Sequence, residues 1–246
     1  MTEVRGEAER LHLDAKPAAL EMQVQRTAVV VVDMQNDFCT PGGSVETAGF
    51  DLSLVRSIIP AIADVLSCAR SIGLQVIYLQ HGYRPDLSDL GPPESRNAIA
   101  HLAAGVGTPF AAPDGSMGRI GVHDTWNTQI IDELAPQPGD VVIRKNRFSG
   151  FHDTPLESTL SSSGIETLVV TGCTTSICVE ALVRDAMYRD YRPIVLSDCT
   201  AEPQGQANHD ASLAIIESTL GWVSESRHLH AAAEALRPGP ETGSPT

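Results

Sequence analysis

Basic residues are scarce in this sequence. It has 17 Lys and Arg residues against 31 Asp and Glu residues, which gives a formal net charge of −14 over 246 residues. Binding to nucleic acid phosphates or to an anionic membrane needs a basic surface, so we expect neither partner. The excess of acidic residues is interpreted as an ordinary solvated surface. The hydrophobic content of 42% is enough for the core of a globular protein.

Closely spaced cysteine pairs are also absent. The chain has an odd number of cysteines, and they form no Cys-x-x-Cys motif (Cys39, Cys68, Cys173, Cys178 and Cys199). This pattern argues against a disulfide scaffold or a zinc ribbon and favours reduced thiols. Residues 1–25 mix charged residues throughout, without the apolar centre of a signal peptide, and no apolar run approaches the length of a membrane span. The expected location is the cytoplasm.

The sequence does contain a regular alternation of apolar runs and helical patterns. The apolar runs, which predict strands, cover residues 27–33, 74–79, 140–143, 167–171 and 193–197. The helical patterns cover residues 52–71, 154–164, 179–190 and 207–220. This alternation predicts a single doubly wound α/β domain, with a mostly parallel sheet flanked by helices in a Rossmann-like three-layer arrangement. We place the domain at 26–236, after an N-terminal arm at 1–25 and before a disordered tail at 237–246.

One stretch, residues 81–125, lacks sustained periodicity and is rich in Pro and Gly. A long irregular insertion in a compact domain is often a lid or a binding loop. It is equally compatible with a plain surface excursion, so both interpretations stand at this point.

Three reactive side chains follow predicted strands. Asp33 ends the first strand, Lys145 follows the run at 140–143, and Cys178 begins the helix that comes after the run at 167–171. Ligands of open α/β sheets bind beyond the carboxyl ends of the strands, so we expect these groups at one edge of the sheet. A thiol at a helix start is also expected to favour its nucleophilic thiolate form.

Each of these groups has a chemical role that suits it. Cys178 can attack a carbonyl and form a thioester, and Asp33 can take the thiol proton and pass it to a leaving amine. Lys145 can lower the thiol pKa and fix the carboxylate. The backbone N–H groups of Thr174 and Cys178 are expected to stabilise the oxyanion. Taken singly, each residue could be a strand cap or a buried hydrophobe, but the joint pattern favours catalysis.

Three motifs carry a family resemblance. They are VVDMQNDF at 31–38 with PGG at 41–43, RKNRFSGF at 144–151, and GCTTSICVE at 172–180. In this order and spacing they resemble the isochorismatase-like cysteine hydrolases, and the resemblance runs from about 27 to 223. The segments 136–140, 148–156 and 221–223 are similar to the ureidoacrylate amidohydrolase and biuret hydrolase branch of that family.

The resemblance implies a catalytic triad of Asp33, Lys145 and Cys178, a cis peptide bond at Cys173–Thr174 and a homo-oligomer, dimer or tetramer. It also implies a hydrolase that cleaves a non-peptide C–N bond of a small linear amide or ureide, similar to ureidoacrylate or biuret. The reaction is expected to pass through a thioester and to release ammonia or an amine. Isochorismatases proper lack the nucleophile and cleave a vinyl ether, so Cys178 favours amide or ureide hydrolysis. The alternatives are an N-carbamoyl amino acid amidase, a nicotinamidase-like activity, or a non-catalytic redox sensor that uses Cys173 and Cys178.

No cofactor is expected. Nicotinamidases of the same superfamily often carry an Asp-x-His metal cluster after the second strand, whereas residues 80–86 here lack paired histidines, so we predict no metal site. The first strand is not followed by a Gly-x-Gly-x-x-Gly motif, which weakens the case for a nucleotide-binding oxidoreductase.

Candidate substrate-binding residues are flat or polar side chains near the predicted strand ends. They are Asn36, Phe38, His81, Tyr83, Trp126, Phe151 and Tyr188. Ordinary packing is the competing explanation for each of them. Only Asn36 and Phe38 inherit a position from the family resemblance.

Overall fold

The structure, a computed structural model, describes residues 9–236. Its strands are β1 (Arg10–Leu13), β2 (Leu20–Gln23), β3 (Thr27–Val32), β4 (Gln75–His81), β5 (Pro109–Ala111), β6 (Met117–Arg119), β7 (Val141–Lys145), β8 (Thr167–Cys173), β9 (Arg192–Ala201) and β10 (Trp222–Ser224). Its α-helices are α1 (Asn36–Cys39), α2 (Ser44–Thr47), α3 (Leu52–Arg56), α4 (Ile59–Ser71), α5 (Arg96–Ala103), α6 (Leu156–Ser162), α7 (Glu180–Met187), α8 (Gln206–Ile215) and α9 (Ser226–Ala235). The tail predicted at 237–246 lies outside the described residues, as do residues 1–8 of the predicted arm.

Six strands form a central sheet in the order β10-β9-β8-β3-β4-β7. Every pairing within this sheet is parallel. The chain starts the sheet at β3, adds β4 and β7 on one side, and then adds β8, β9 and β10 on the other. This reversal is the topological switch of a doubly wound sheet, so the predicted fold class is confirmed.

The apolar run in β3 supplies both faces of the sheet. Val29 and Val31 pack into one hydrophobic core, which includes side chains of α4 and α9. Val30 and Val32 pack into a second core, which includes side chains of α6 and α7. All four valines are fully buried. Helices therefore cover both faces of the sheet, which is why this strand reads as a continuous apolar run and does not alternate with polar residues.

The N-terminal arm predicted at 1–25 needs a correction. Strands β1 and β2 pair antiparallel, with Leu11 opposite Met22 and Leu13 opposite Leu20. These four side chains are buried in the first core. The strands alternate apolar and polar residues, but runs of four residues are too short to stand out from the sequence. Residues 10–23 thus belong to the folded domain.

The helix predicted at 52–71 is interrupted. It forms α3 and α4, separated by a turn, and Pro60 lies in the first turn of α4. Proline lacks the backbone N–H that a continuous helix would need, and the first turn is where it is tolerated. The sequence predicts no apolar run of membrane-spanning length, but by length and composition alone this segment, with a mean hydropathy of 1.6, is long and apolar enough to cross a membrane. Its apolar side chains, including Ile62 and Val65, are buried against the sheet in the first core.

Gly172 allows β8 to approach β3 closely, just before the motif that carries Cys178. Its φ is +106°, and a Cβ atom there would lie 2.1 Å from the carbonyl oxygen of Val32. We expect Gly172→Ala to lower the free energy of unfolding by about 2–4 kcal/mol, through the contact and the left-handed backbone together. Gly164 is the matched control, because its φ is +67° but no atom lies within 4 Å of the added Cβ. Urea denaturation of both variants measures the difference, and equal losses would show that the contact with Val32 does not matter.

Candidate active site

The carboxyl ends of β3, β7 and β8 bring the three reactive side chains together. Asp33 directly follows β3, and Lys145 is the last residue of β7. Lys145 Nζ donates a hydrogen bond to Asp33 Oδ2 at 2.7 Å, and both side chains are at most 1% exposed. The same Nζ donates to the carbonyl oxygen of Arg147 at 3.2 Å. The predicted carboxylate and amine therefore form a buried ion pair.

Cys178 lies in a π-helical turn, Thr175–Val179, that leads into α7. The carbonyl oxygen of Thr174 accepts hydrogen bonds from the backbone N–H groups of Ile177, at 3.2 Å, and Val179, at 3.1 Å. The Cys178 side chain is buried, and its thiol interacts with both Asp33 and Lys145. The peptide bond between Cys173 and Thr174 is cis.

Cys173 differs from Cys178 in its surroundings. Its thiol donates a hydrogen bond to the backbone carbonyl oxygen of Asp33 at 3.4 Å. It is buried in the first core together with Cys39 and Cys199. Of the two cysteines in the motif, Cys178 is the one whose thiol meets the buried ion pair.

The protonation of the site differs from the sequence prediction. Burial raises the pKa of the Cys178 thiol despite the opposing effect of Lys145, and the charge of Asp33 raises it further. Burial and the facing carboxylate therefore work against the thiolate that the sequence predicts. Burial likewise raises the pKa of Asp33 despite Lys145. A carboxylate of raised pKa is a better base for the thiol proton than an exposed one.

Lys145 remains a cation in this pair. Burial acts to lower its pKa, but Asp33 and Cys178 outweigh that effect, and the net pKa is raised. The second oxygen of the carboxylate, Asp33 Oδ1, is buried and has no hydrogen-bond partner. The site thus combines a fixed cation, a carboxylate with one unpaired oxygen and a protonated thiol.

A cavity of about 220 Å³ opens beside Cys178. Most of its lining is apolar. Its side chains come from the segments after β3 and β7, from the 81–125 insertion and from residues 174–177. They include Asp37, Phe38, Val45, Ala48, Phe50, His81, His101, Ala104, Val106, Ile120, Phe148, Thr174 and Ile177. Of the seven predicted substrate-binding residues, Phe38 and His81 line it.

Two of the predicted residues serve the loops around the cavity. The Asn36 side chain donates to the carbonyl oxygen of Trp126 at 2.9 Å and accepts from the Thr40 hydroxyl at 2.7 Å. The Trp126 ring stacks on Phe110 with 6.0 Å between centroids. Neither side chain lines the cavity: the Asn36 amide ties the segment after β3 to the backbone of Trp126, and the Trp126 ring packs against the insertion.

The three remaining predicted residues are also placed elsewhere. Tyr83 is buried behind His81, and its hydroxyl accepts a hydrogen bond from Asn97 at 3.1 Å. Phe151 packs in the second core under the Arg189 guanidinium. Tyr188 is 68% exposed at the end of α7. Proximity to a strand end in the sequence does not determine where a side chain points.

Sequence reasoning missed Asp37, a buried carboxylate in the cavity wall. It accepts hydrogen bonds from the Asn127 side chain at 2.7 Å, the Gly121 N–H at 2.8 Å and the Ser44 N–H at 3.3 Å. These partners come from three separate segments that surround the cavity. The only signal for Asp37 was its place in the 31–38 motif, directly before Phe38.

The 81–125 insertion forms one wall of the cavity. It contains α5 and the antiparallel pair β5 and β6, and it contributes His101, Ala104, Val106 and Ile120 to the lining. This placement favours the binding-loop interpretation over a plain surface excursion. Within residues 9–236, no three His, Cys, Asp or Glu side chains are grouped so that they could hold a metal ion.

The chain is similar to known proteins over most of its length. Residues 27–228 match the model of the isochorismatase domain family. The chain is 39% identical over 220 residues to the ureidoacrylate amidohydrolase RutB of Methylorubrum extorquens. The matched region covers 89% of this chain and 88% of the relative. A cysteine hydrolase from Pseudomonas syringae pv. phaseolicola superposes with a TM-score of 0.74 at 29% identity, covering 94% of this chain and 100% of the other. An N-carbamoylsarcosine amidase from Thermoplasma acidophilum superposes with a TM-score of 0.61 at 27% identity, covering 82% and 96%.

Proposed function

The chain belongs to the isochorismatase domain family, and on that premise we propose that it hydrolyses a C–N bond of a small linear amide or ureide with Cys178 as the nucleophile. The observation that carries the proposal is the buried pair of Asp33 and Lys145, which meets the Cys178 thiol beside a largely apolar cavity. The amidohydrolase and amidase among the similar proteins support the same bond type.

The first half of the proposed reaction transfers the thiol proton. Asp33 takes the proton of Cys178 as the sulfur attacks the carbonyl carbon of the substrate, and a C–S bond forms. The negative charge moves to the carbonyl oxygen, where the backbone N–H groups of Thr174 and Cys178 would bind it. Lys145 stays a cation throughout, because Asp33 and Cys178 hold its pKa above the ordinary value. Its charge offsets the negative charge that develops in the site. The C–N bond then breaks, and the leaving nitrogen takes the proton from Asp33.

The second half restores the enzyme. Asp33, again a carboxylate, takes a proton from water, and the resulting hydroxide attacks the thioester carbon. The C–S bond breaks as the acid or carbamate leaves, and the sulfur regains its proton from Asp33. The resting thiol with a raised pKa fits this cycle, because the sulfur must be reprotonated at the end of each turnover.

An ammonia-release screen tests the proposed reaction. The compounds are ureidoacrylate, biuret, N-carbamoyl amino acids, nicotinamide and simple aliphatic amides, each incubated with wild-type protein and with Cys178→Ala as the blank. We expect the wild-type protein to release ammonia from at least one amide or ureide and the blank to release none. Release at equal rates from both proteins, or from neither on the whole panel, would contradict the proposal.

A further inference from the structure

The charged side chains in the cavity wall indicate which class of substrate the site can accept. Its charged side chains are the carboxylates Asp33 and Asp37, and within residues 9–236 neither Lys nor Arg contributes to the lining. Lys145 is fully buried, donates to Asp33 and does not line the cavity. Burial raises the pKa of Asp37, but its three partners are all N–H donors, as an ionised carboxylate requires. A carboxylate on a substrate would therefore lose its hydration without meeting a cation.

Two neutral histidines lie in the cavity wall. His101 Nδ1 lies 2.8 Å from the carbonyl oxygen of Asn97, so Nδ1 carries the hydrogen and Nε2 carries a lone pair. The His81 ring interacts with the backbone carbonyl of Arg147, and its Nδ1 is buried, has no partner and is not accessible to a ligand. Burial lowers the pKa of both rings, so both are neutral.

The rest of the wall is hydrophobic. Phe38, Phe148 and Ile177 line the cavity, and the two histidine rings lie 5.6 Å apart between centroids. Such a surface stabilises an apolar body by removing it from water, whereas an unpaired buried charge is strongly disfavoured. The lone pair on His101 Nε2 suits a group that brings an N–H donor, such as the nitrogen end of an amide or urea.

We propose that this site selects a neutral amide or ureide with an apolar body and N–H donors, and discriminates against substrates that carry a carboxylate. The inference rests on the proposed function and narrows it. It separates this site from one made for ureidoacrylate, whose carboxylate would face Asp33 and Asp37. Like charges placed together across a binding site reduce affinity strongly, so the discrimination should be large.

Two matched pairs of compounds test the selection. Butanamide is compared with succinamate, and propylurea with 3-ureidopropionate, because in each pair a carboxylate replaces one methyl group. We expect kcat/KM of the wild-type protein to be at least about tenfold higher for the neutral member. Equal values, or a preference for the carboxylate, would overturn the inference and leave the proposed function standing. No turnover of either pair or of any compound in the ammonia screen would count against the proposed function, and the inference would fall with it.

Adding a cation to the wall should shift the preference toward the carboxylate member. His101→Arg is expected to raise the ratio of kcat/KM for the carboxylate member to that for the neutral member by at least about tenfold. Phe148→Arg is the second variant, since this side chain is 42% exposed and tolerates a longer replacement. His12→Arg, on the exposed face of β1, is the matched control and should leave the ratio unchanged. An unchanged ratio in both folded cavity variants would overturn the role given to the wall.

Discussion

Cys178→Ala is expected to lower kcat for the amide substrate by about 10⁴-fold or more. Without the sulfur no covalent intermediate forms, and neither Asp33 nor Lys145 can replace it as the nucleophile. The effect on stability should be small, about 1 kcal/mol, because only one sulfur atom is removed at the edge of the second core. Ammonia release and urea denaturation, measured on the same preparation, separate the two effects.

Cys68→Ala is the matched control for this variant. Cys68 lies on α4, is only partly buried and does not line the cavity. Its replacement should leave kcat within about twofold of the wild-type value, since substitutions away from the site rarely act on turnover. Retained activity in Cys178→Ala would show that the thiol is not the nucleophile, whatever its position beside the ion pair.

Breaking the ion pair between Asp33 and Lys145 is expected to lower both stability and kcat strongly. Lys145→Met leaves the Asp33 carboxylate buried without its cation, and Asp33→Asn leaves the Lys145 ammonium without its anion. Each single variant is expected to lose about 3–5 kcal/mol in the free energy of unfolding. Each should also lose about 10²–10⁴-fold in kcat, because proton transfer from the thiol needs the carboxylate and its fixed partner. Urea denaturation and ammonia release provide the two readouts.

The double variant, Asp33→Asn with Lys145→Met, distinguishes catalysis from structural support. Neutral replacements of both partners remove the unpaired charge, so stability should return to within about 2 kcal/mol of the wild-type value. Activity should not return with it. If activity recovered in parallel with stability, the pair would have a structural role only, and the proton transfer assigned to Asp33 would be refuted.

The fold was predictable because its signals are local and continuous. The apolar run in β3 and the strand–helix alternation are enough to indicate a doubly wound sheet. The N-terminal hairpin was missed because each of its strands is only four residues long. The break between α3 and α4 depends on Pro60, a signal that was present in the sequence but was outweighed by the apolar period on either side.

Part of the candidate site was also predictable from the sequence, and part was not. The positions of Asp33, Lys145 and Cys178 follow from topology, because parallel strands end at the same edge of the sheet. The lining of the cavity depends on where side chains turn after the strands end, and on partners from distant segments, as the bonds between Asp37, Gly121 and Asn127 show. The pKa of the thiol depends on burial, which outweighs Lys145 and cannot be read from neighbouring residues in the sequence.

Cys178 is expected to carry the acyl or carbamoyl group during turnover. Partitioning with hydroxylamine detects this intermediate, because this nucleophile competes with water for a thioester even when the intermediate does not accumulate. On the best substrate of the ammonia screen, we expect hydroxylamine to divert product to the hydroxamate or hydroxyurea in proportion to its concentration. Ammonia release should continue, and Cys178→Ala should form neither product. Steady ammonia release by the wild-type protein with no diverted product at any hydroxylamine concentration would indicate direct attack by water and exclude a covalent intermediate on Cys178.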